Sequence, residues 1–275
     1  MYALRMMGGC NNNCVHCMVS EELAEGKCLS LDELKRIIYS KRNDRIDFFG
    51  GEPAIQPHFL EALRYAKSLG IKCSLGTNAR AFYYEEFAKK VAEIGIDMIR
   101  SSIYGHNAKL HESITTVPRS FNQTIGGIKN ILHYKIPLIV NIVIMKPNYR
   151  YLEQITEMLV GLGVSDIKYS SLIFKGNAYK NRKLLAVKIS KIKPYLRKAL
   201  KYAVGHHIRI RIEKNPICIA PEFAEHFIGE SDPRIDPSDM FSKSEKCRGC
   251  KYNNKCVGIS KRYEELFGLS ELTPQ

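Results

Sequence analysis

The sequence predicts an α/β protein: a partial (β/α)6 TIM-type barrel over residues 1–178, with a small C-terminal cysteine-rich domain over residues 179–275. Three observations predict it. Short, almost wholly apolar stretches alternate with amphipathic ones six times in the first 175 residues. Strands that are apolar nearly throughout are buried on both faces, as in a parallel sheet covered by crossover helices. After Gly176 this rhythm gives way to basic segments that end in closely spaced cysteines.

Taken in order, Tyr2 to Met7 reads as a strand that runs straight into a cysteine loop. Ser30-Leu31-Asp32-Glu33 is a capping box, followed by the apolar stripe Leu34, Ile37 and Ile38 of a helix. Strands follow at Arg45 to Phe49, Ile71 to Leu75, Asp97 to Ile103, Leu138 to Met145 and Asp166 to Ile173. Helices alternate with them at Phe59 to Leu69, Glu85 to Ile94, Phe121 to His133 and Leu152 to Leu162. Residues 177–185 are polar and basic, which suits a linker. A basic amphipathic helix then carries Ile189, Ile192, Leu196, Leu200 and Ala203, with Pro194 near its first turn or kinking it. A strand from Ile208 to Ile212 and a stretch rich in Pro, Asp and Ser over 229–243 lead to the last cysteines.

Composition narrows the class. With 45% hydrophobic and 25% charged residues, the chain has enough apolar surface for a packed core, which excludes a disordered polymer. No apolar run approaches the roughly 18 residues that cross a bilayer, and Met1 to Met7 lacks the pattern of a signal peptide. A cytoplasmic protein with no membrane partner is expected, and there nine cysteines argue for metal chemistry over disulfides. Their placement agrees: Cys10, Cys14 and Cys17 crowd together, as do Cys247, Cys250 and Cys256, with Cys218 before the second group. Cys28 and Cys73 read as buried small apolar residues.

The first group is a Cys-x3-Cys-x2-Cys loop directly after the first strand. Three thiolates on a four-iron cluster leave one iron open to a small chelating molecule. Zinc normally takes four protein ligands; His16 is the available fourth, but between Cys14 and Cys17 its ring should point away from them. Gly50-Gly51-Glu52-Pro53 ends the second strand, where glycines admit a ligand close to the backbone and Glu52 can accept from an ammonium group. Thr77 and Asn78 end the third strand, Ser102 lies near the end of the fourth, and Asn141 sits in the fifth. Short polar side chains at strand C-termini face the open mouth of such a sheet. His106 and His111 fall in the loop after strand four, at the rim or as cap and surface residues.

The loop Cys10-Asn11-Asn12-Asn13-Cys14-Val15-His16-Cys17 resembles the signature of the radical SAM superfamily. The resemblance implies a [4Fe–4S] cluster whose open iron binds S-adenosylmethionine (SAM), which is split to a 5′-deoxyadenosyl radical that takes hydrogen from a substrate. It makes Cys10, Cys14 and Cys17 the catalytic ligands. It places His16, Gly50, Gly51, Glu52, Thr77, Ser102 and Asn141 among the cofactor-binding residues. Many relatives carry Asp where Tyr104 stands, so no role is carried over to that position.

Cys218 with Cys247-x2-Cys250-x5-Cys256 can close a zinc site or a second [4Fe–4S] cluster, and spacing alone leaves both open. The arrangement resembles the SPASM and shorter Twitch auxiliary-cluster annexes of radical SAM maturases, which implies one auxiliary [4Fe–4S] cluster on those four thiolates.

The expected activity is therefore a radical SAM enzyme, with a peptide or protein maturase leading. A small-molecule or cofactor-biosynthesis enzyme and nucleic-acid modification are the alternatives, and a non-enzymatic zinc-binding protein is the outside case. Expected partners are a flavodoxin or ferredoxin-type reductant and a peptide or small-molecule substrate. Net charge is +14, and residues 180–214 alone hold twelve Lys or Arg against Glu213. That stretch is either a solvated helix face or a docking surface for an anionic partner such as a nucleic acid or an acidic electron carrier.

Overall fold

The computed structural model describes residues 1–229 and 240–275, so most of the stretch rich in Pro, Asp and Ser lies outside the described residues. Eight strands form one sheet in chain order: β1 (Tyr2–Met6), β2 (Ile46–Gly50), β3 (Cys73–Thr77), β4 (Met98–Ile103), β5 (Leu138–Ile144), β6 (Asp166–Ser171), β7 (Arg209–Glu213) and β8 (Phe227–Ile228). The β1–β2, β2–β3, β3–β4, β6–β7 and β7–β8 pairs are parallel. Parallel neighbours need a crossover. Helices make all but the last: α1 (Ser20–Ala24), α2 (Leu31–Ser40), α3 (Phe59–Ser68), α4 (Glu85–Ile94), α5 (Ala108–Thr115), α6 (Ser120–His133), α7 (Leu152–Gly161), α8 (Asn177–Lys180), α9 (Arg182–Leu185) and α10 (Ile189–Gly205). This is the expected α/β class, a mostly parallel sheet of the partial-barrel type. It runs two strands beyond the expected six, because α10 acts as one more crossover and β7 pairs in register with β6.

The chain packs as two compact units, Met1–Ile103 with Asn107–Val140 and Tyr104–His106 with Asn141–Gln275. In the first, Leu4, Phe48, Leu75 and Ile99 lie in register across β1 to β4 and are buried to 2% exposure or less. Phe59 of α3 meets Phe48 edge-on with ring centroids 5.6 Å apart. The opposite face of the same strands is polar: Ser74 donates to Asp47 at 2.7 Å, and Arg100 pairs with Asp47. Period-two alternation thus assigns one face to the helices and leaves the other for chemistry. The predicted capping box of α2 is formed, with Ser30 and Glu33 bonding reciprocally.

In the second unit, Tyr169 of β6 is fully buried and shares a 2.7 Å hydrogen bond with Thr156 of α7. Arg211 donates to both oxygens of Asp166, and Lys168 reaches Glu213 at 2.7 Å. A small antiparallel pair, β9 (Phe241–Ser242) and β10 (Ile259–Ser260), precedes helix α11 (Lys261–Phe267).

Several expectations are corrected. The supposed linker 177–185 forms α8 and α9, because Ala178 and Leu185 find burial there. Pro194 is the sixth residue of α10, past the first turn, and the helix continues through it. Cys73 is buried as expected, but Cys28 is exposed, lying in the loop between α1 and α2. His111 is a buried residue of α5, against the Phe121 ring, not a surface histidine.

Candidate active site

The three N-terminal cysteines lie in the loop leaving β1, and most of the contacts that hold that loop come from distant parts of the first unit. Asn13 N–H donates to Thr115 O and Val15 N–H to Ile114 O, at 3.1 and 3.0 Å, which ties the loop to the end of α5. Asn78, just past β3, donates its amide to Asn11 Oδ1 at 2.7 Å. Arg80 bonds the Asn11 carbonyl, reaches Asn12 Oδ1 at 2.8 Å, and is itself held by Gln123 of α6. Neither Arg80 nor residues 114–116 stand out in the sequence, since nothing periodic marks a side chain that reaches across 68 residues.

Burial pushes the Cys10 thiol up to about 11 and raises Cys14 further, with each cysteine's charge adding to the cost on its neighbour. Cys17 is raised as well, chiefly by burial. Three mutually repelling thiolates in a half-buried loop require a cationic centre to be stable together. Asn12 N–H, 3.4 Å from Cys10 Sγ, adds a donor of the kind that tunes cluster sulfur. The donor set fits a cluster held by three thiolates. Burial drives His16 down to about 4, and burial lowers the nearby His111 likewise, with a positive charge on either ring disfavouring one on the other.

The Gly50–Pro53 turn packs directly under this loop. Glu52 N–H donates to Gly9 O at 2.8 Å, and a Cβ at Gly51 would fall 2.1 Å from that same oxygen, so only glycine fits. Glu52 is 1% exposed. Its carboxylate accepts from Thr77 Oγ1 at 2.6 Å, from Asn78 N–H at 2.6 Å and from Ala54 N–H at 3.1 Å. Burial outweighs these donors and lifts its pKa to about 6. Glu52 and Thr77 are thus brought together, each engaged with the other, and they lock the ends of β2 and β3.

Ser102 does not share a face with Thr77. The β3–β4 register sets Thr77 beside Ser101, and alternation turns Ser102 to the polar face with Arg100. The buried Ser101 hydroxyl has no hydrogen-bond partner among the described residues. Asn141 lies in the second unit, where Ser170 donates to its Oδ1 at 2.7 Å.

The second cysteine group shares one cavity, although among the described residues no three of its side chains are close enough to hold a single metal ion. Cys218, Cys247, Cys250 and Cys256 line one cavity, walled by Pro216, Ile217, Tyr252, Leu272 and Pro274. Backbone amides aim at the sulfurs: Ile217 and Gly258 N–H at Cys256 (3.3 and 3.4 Å) and Gln275 N–H at Cys250 (3.4 Å). Thr273 bonds Cys218 through backbone and side chain, opposing the upward push of burial on that thiol. Gly258, at φ +87°, lets the chain turn against Ser242 O, where a Cβ would come within 2.2 Å. Thiolates ringed by amide donors match an iron–sulfur site. The wall formed by residues 272–275 left no signal in the sequence.

The family model described as the radical SAM superfamily matches residues 4–159, more than half of the chain. The chain belongs to the radical SAM superfamily. Its domain is therefore that of an enzyme using a [4Fe–4S] cluster and SAM. This radical SAM chain is 29% identical over 167 residues to the AdoMet-dependent heme synthase of Methanosarcina barkeri, covering 59% of this chain and 48% of that protein. It is 25% identical over 193 residues to the PqqA peptide cyclase of Rhodopseudomonas palustris, covering 69% and 51%. The chain thus spans about half the length of the curated relatives it matches. Among solved structures, native anSMEcpe with bound AdoMet superposes with TM-score 0.69 at 14% identity, covering 99% of this chain and 92% of that one, which shows a common fold. No helix of the described residues is long and apolar enough to cross a membrane.

Proposed function

We propose that this radical SAM enzyme modifies a peptide or protein, with residues 1–178 carrying the catalytic strands and 179–275 extending the same sheet by β7 and β8 and holding a second [4Fe–4S] cluster. The observation that carries the reading is the four-cysteine cavity, since the fold likeness to anSMEcpe spans 99% of this chain and so takes it in. The PqqA peptide cyclase, named for a peptide, is similar over 69% of the chain. A cofactor-pathway reading is favoured by one observation, the 29% identity to a heme synthase.

Cys10, Cys14 and Cys17 hold the first cluster, and Cys218, Cys247, Cys250 and Cys256 the second. When bound, the first cluster and SAM supply a 5′-deoxyadenosyl radical for hydrogen abstraction. The chain's own part is to position and to shield. Arg80 and Asn78 fix the cysteine loop, while Glu52 and Thr77 hold the Gly50–Gly51 turn where the SAM amino group docks. Ser102 presents a hydroxyl on the polar face of β4, and in the second unit Asn141, its oxygen engaged by Ser170, keeps its amide N–H groups to donate. His16 lines the same loop as a neutral ring. A flavodoxin or ferredoxin-type protein supplies the electron, in the cytoplasm.

Anaerobic reconstitution tests this. About eight irons per chain are expected, with 5′-deoxyadenosine formed on adding SAM and dithionite. Replacing Cys10, Cys14 and Cys17 by Ala should abolish that product and leave about four irons. Cleavage that survives the triple variant would sink the ligand assignment. Deuterium passing from a labelled peptide into 5′-deoxyadenosine would establish the substrate class; transfer from a tetrapyrrole alone would favour the second reading.

A further inference from the structure

The loop that carries three of the second group's cysteines is cationic. Residues 243–256 contain Lys243, Lys246, Arg248, Lys251 and Lys255 against a single acid, Glu245. The cations are interleaved with the sulfurs: Lys246 and Arg248 flank Cys247, Lys251 follows Cys250 and Lys255 precedes Cys256. Lys243 and Lys255 are engaged locally, their ammonium groups donating to Asn253 O at 2.6 Å and Ala224 O at 2.7 Å. Lys246, Arg248 and Lys251 are exposed. Arg248 pairs with Glu245 at 3.4 Å, and both are more than 80% exposed, a pairing that water and salt largely screen. Lys251 sits 5.0 Å over the Tyr252 ring, and Tyr252 lines the cysteine cavity, so positive charge and the cavity wall are in direct contact. From another side, Lys193 of α10 acts electrostatically on Cys218.

We infer that the 243–256 loop is the docking surface for an acidic one-electron carrier protein that exchanges electrons with the C-terminal cysteine site. The inference rests on that site holding an iron–sulfur cluster. Exposed like charges at the edge of a buried centre steer an acidic partner so that its own centre arrives over the cavity, shortening the transfer distance. The step is electron transfer alone: the reduced carrier loses one electron, the C-terminal cluster gains one, and no bond or proton moves. Four protein thiolates leave this cluster without an open corner, which suits relay in preference to substrate binding. Lys193 apart, the exposed cations of α10 are less well placed, because Lys191, Lys198 and Lys201 do not line the cavity that holds the cysteines.

The test uses the full chain with Cys10, Cys14 and Cys17 replaced by Ala, so that only the C-terminal cluster reports. Iron content and the electron paramagnetic resonance of the reduced cluster are measured first; a protein without iron there refutes the underlying reading before any carrier is added. An acidic flavodoxin reduced to its hydroquinone is then mixed in, and cluster bleaching is followed by stopped flow. The rate should fall steeply with ionic strength, and K246E/R248E/K251E should slow it about tenfold or more at low salt, with dithionite reduction unchanged. K191E/K198E/K201E should leave it within about twofold. Should the triple reversal impair cluster loading, K246Q/R248Q/K251Q and the salt series on the parent chain carry the test. A rate indifferent to salt, equal loss with dithionite, a loss confined to the α10 reversals, or RNA binding that the loop variant loses while its carrier rate stands would each overturn the proposal.

Discussion

The N-terminal loop of three cysteines and the C-terminal cavity of four use one side chain for opposite ends. In the first, the holding groups act mainly on the backbone and on neighbouring amides: Arg80 on Asn11 and Asn12, Asn78 on Asn11, Thr116 on Asn13. The thiols are supported from behind, and in the proposed reading three of them would leave one corner of a cluster to an outside ligand. In the second, the holding groups act on the sulfurs themselves, from Ile217, Gly258, Thr273 and Gln275. Three of the four thiols, Cys218, Cys250 and Cys256, are engaged in this way. Whether a cluster is open for chemistry or closed for electrons is thus set by thiol number and by what the neighbouring donors point at.

The largest expected effect separates the two sites. Cys250→Ser with Cys256→Ser should halve the iron content while SAM cleavage by dithionite survives; loss of both together would mean that the sites are not independent. Next is Gly51→Ala, which drives a Cβ into Gly9 O and should destabilise the first unit by about 1–3 kcal/mol, displace the cysteine loop and lower first-cluster loading. Unchanged melting and loading would show that the turn yields without disturbing the loop.

Glu52 gives the N-terminal site a carboxylate titration. Its pKa is raised to about 6 by burial, above the ordinary carboxylate value, so its contribution to stability is full below about 4.5. That contribution is lost as pH rises through about 6, a change of about 2 kcal/mol. Denaturant melts of the apoprotein across that window should show the slope, and Glu52→Gln should remove it. An unaltered slope in the variant would assign the titration elsewhere. The smallest effect is Thr273→Val, which deletes one hydroxyl donor to Cys218. It should lower the reduction potential of the C-terminal cluster and leave the N-terminal one where it was, as read by redox titration. A shift at both clusters would show a general structural change.

Much of the first unit was legible because it follows short-range rules. The capping box at Ser30 and Glu33 depends on four consecutive residues, and the helix Glu85–Ile94 has the bounds the sequence predicts. The residue-to-residue geometry of the site was not. Thr77 had been placed with Ser102 at the strand ends, and only the register, which pairs Thr77 with Ser101, puts them on opposite faces. The 177–185 stretch looked like a linker because its polarity is visible in sequence, whereas the burial that makes it helical comes from partners elsewhere.

The sequence by itself determined the kind of chemistry, since thiolate spacing limits which metal centres a loop can hold and the βα rhythm limits the sheet. Only the tertiary structure decided that Arg80 braces the cysteine loop from 68 residues away, that Glu52 spends its carboxylate on its own chain, and that residues 272–275 wall the second site. The reason is range. Periodicity and spacing act over a few bonds, while burial and hydrogen-bond partnership belong to contacts that exist only once distant segments have been brought together.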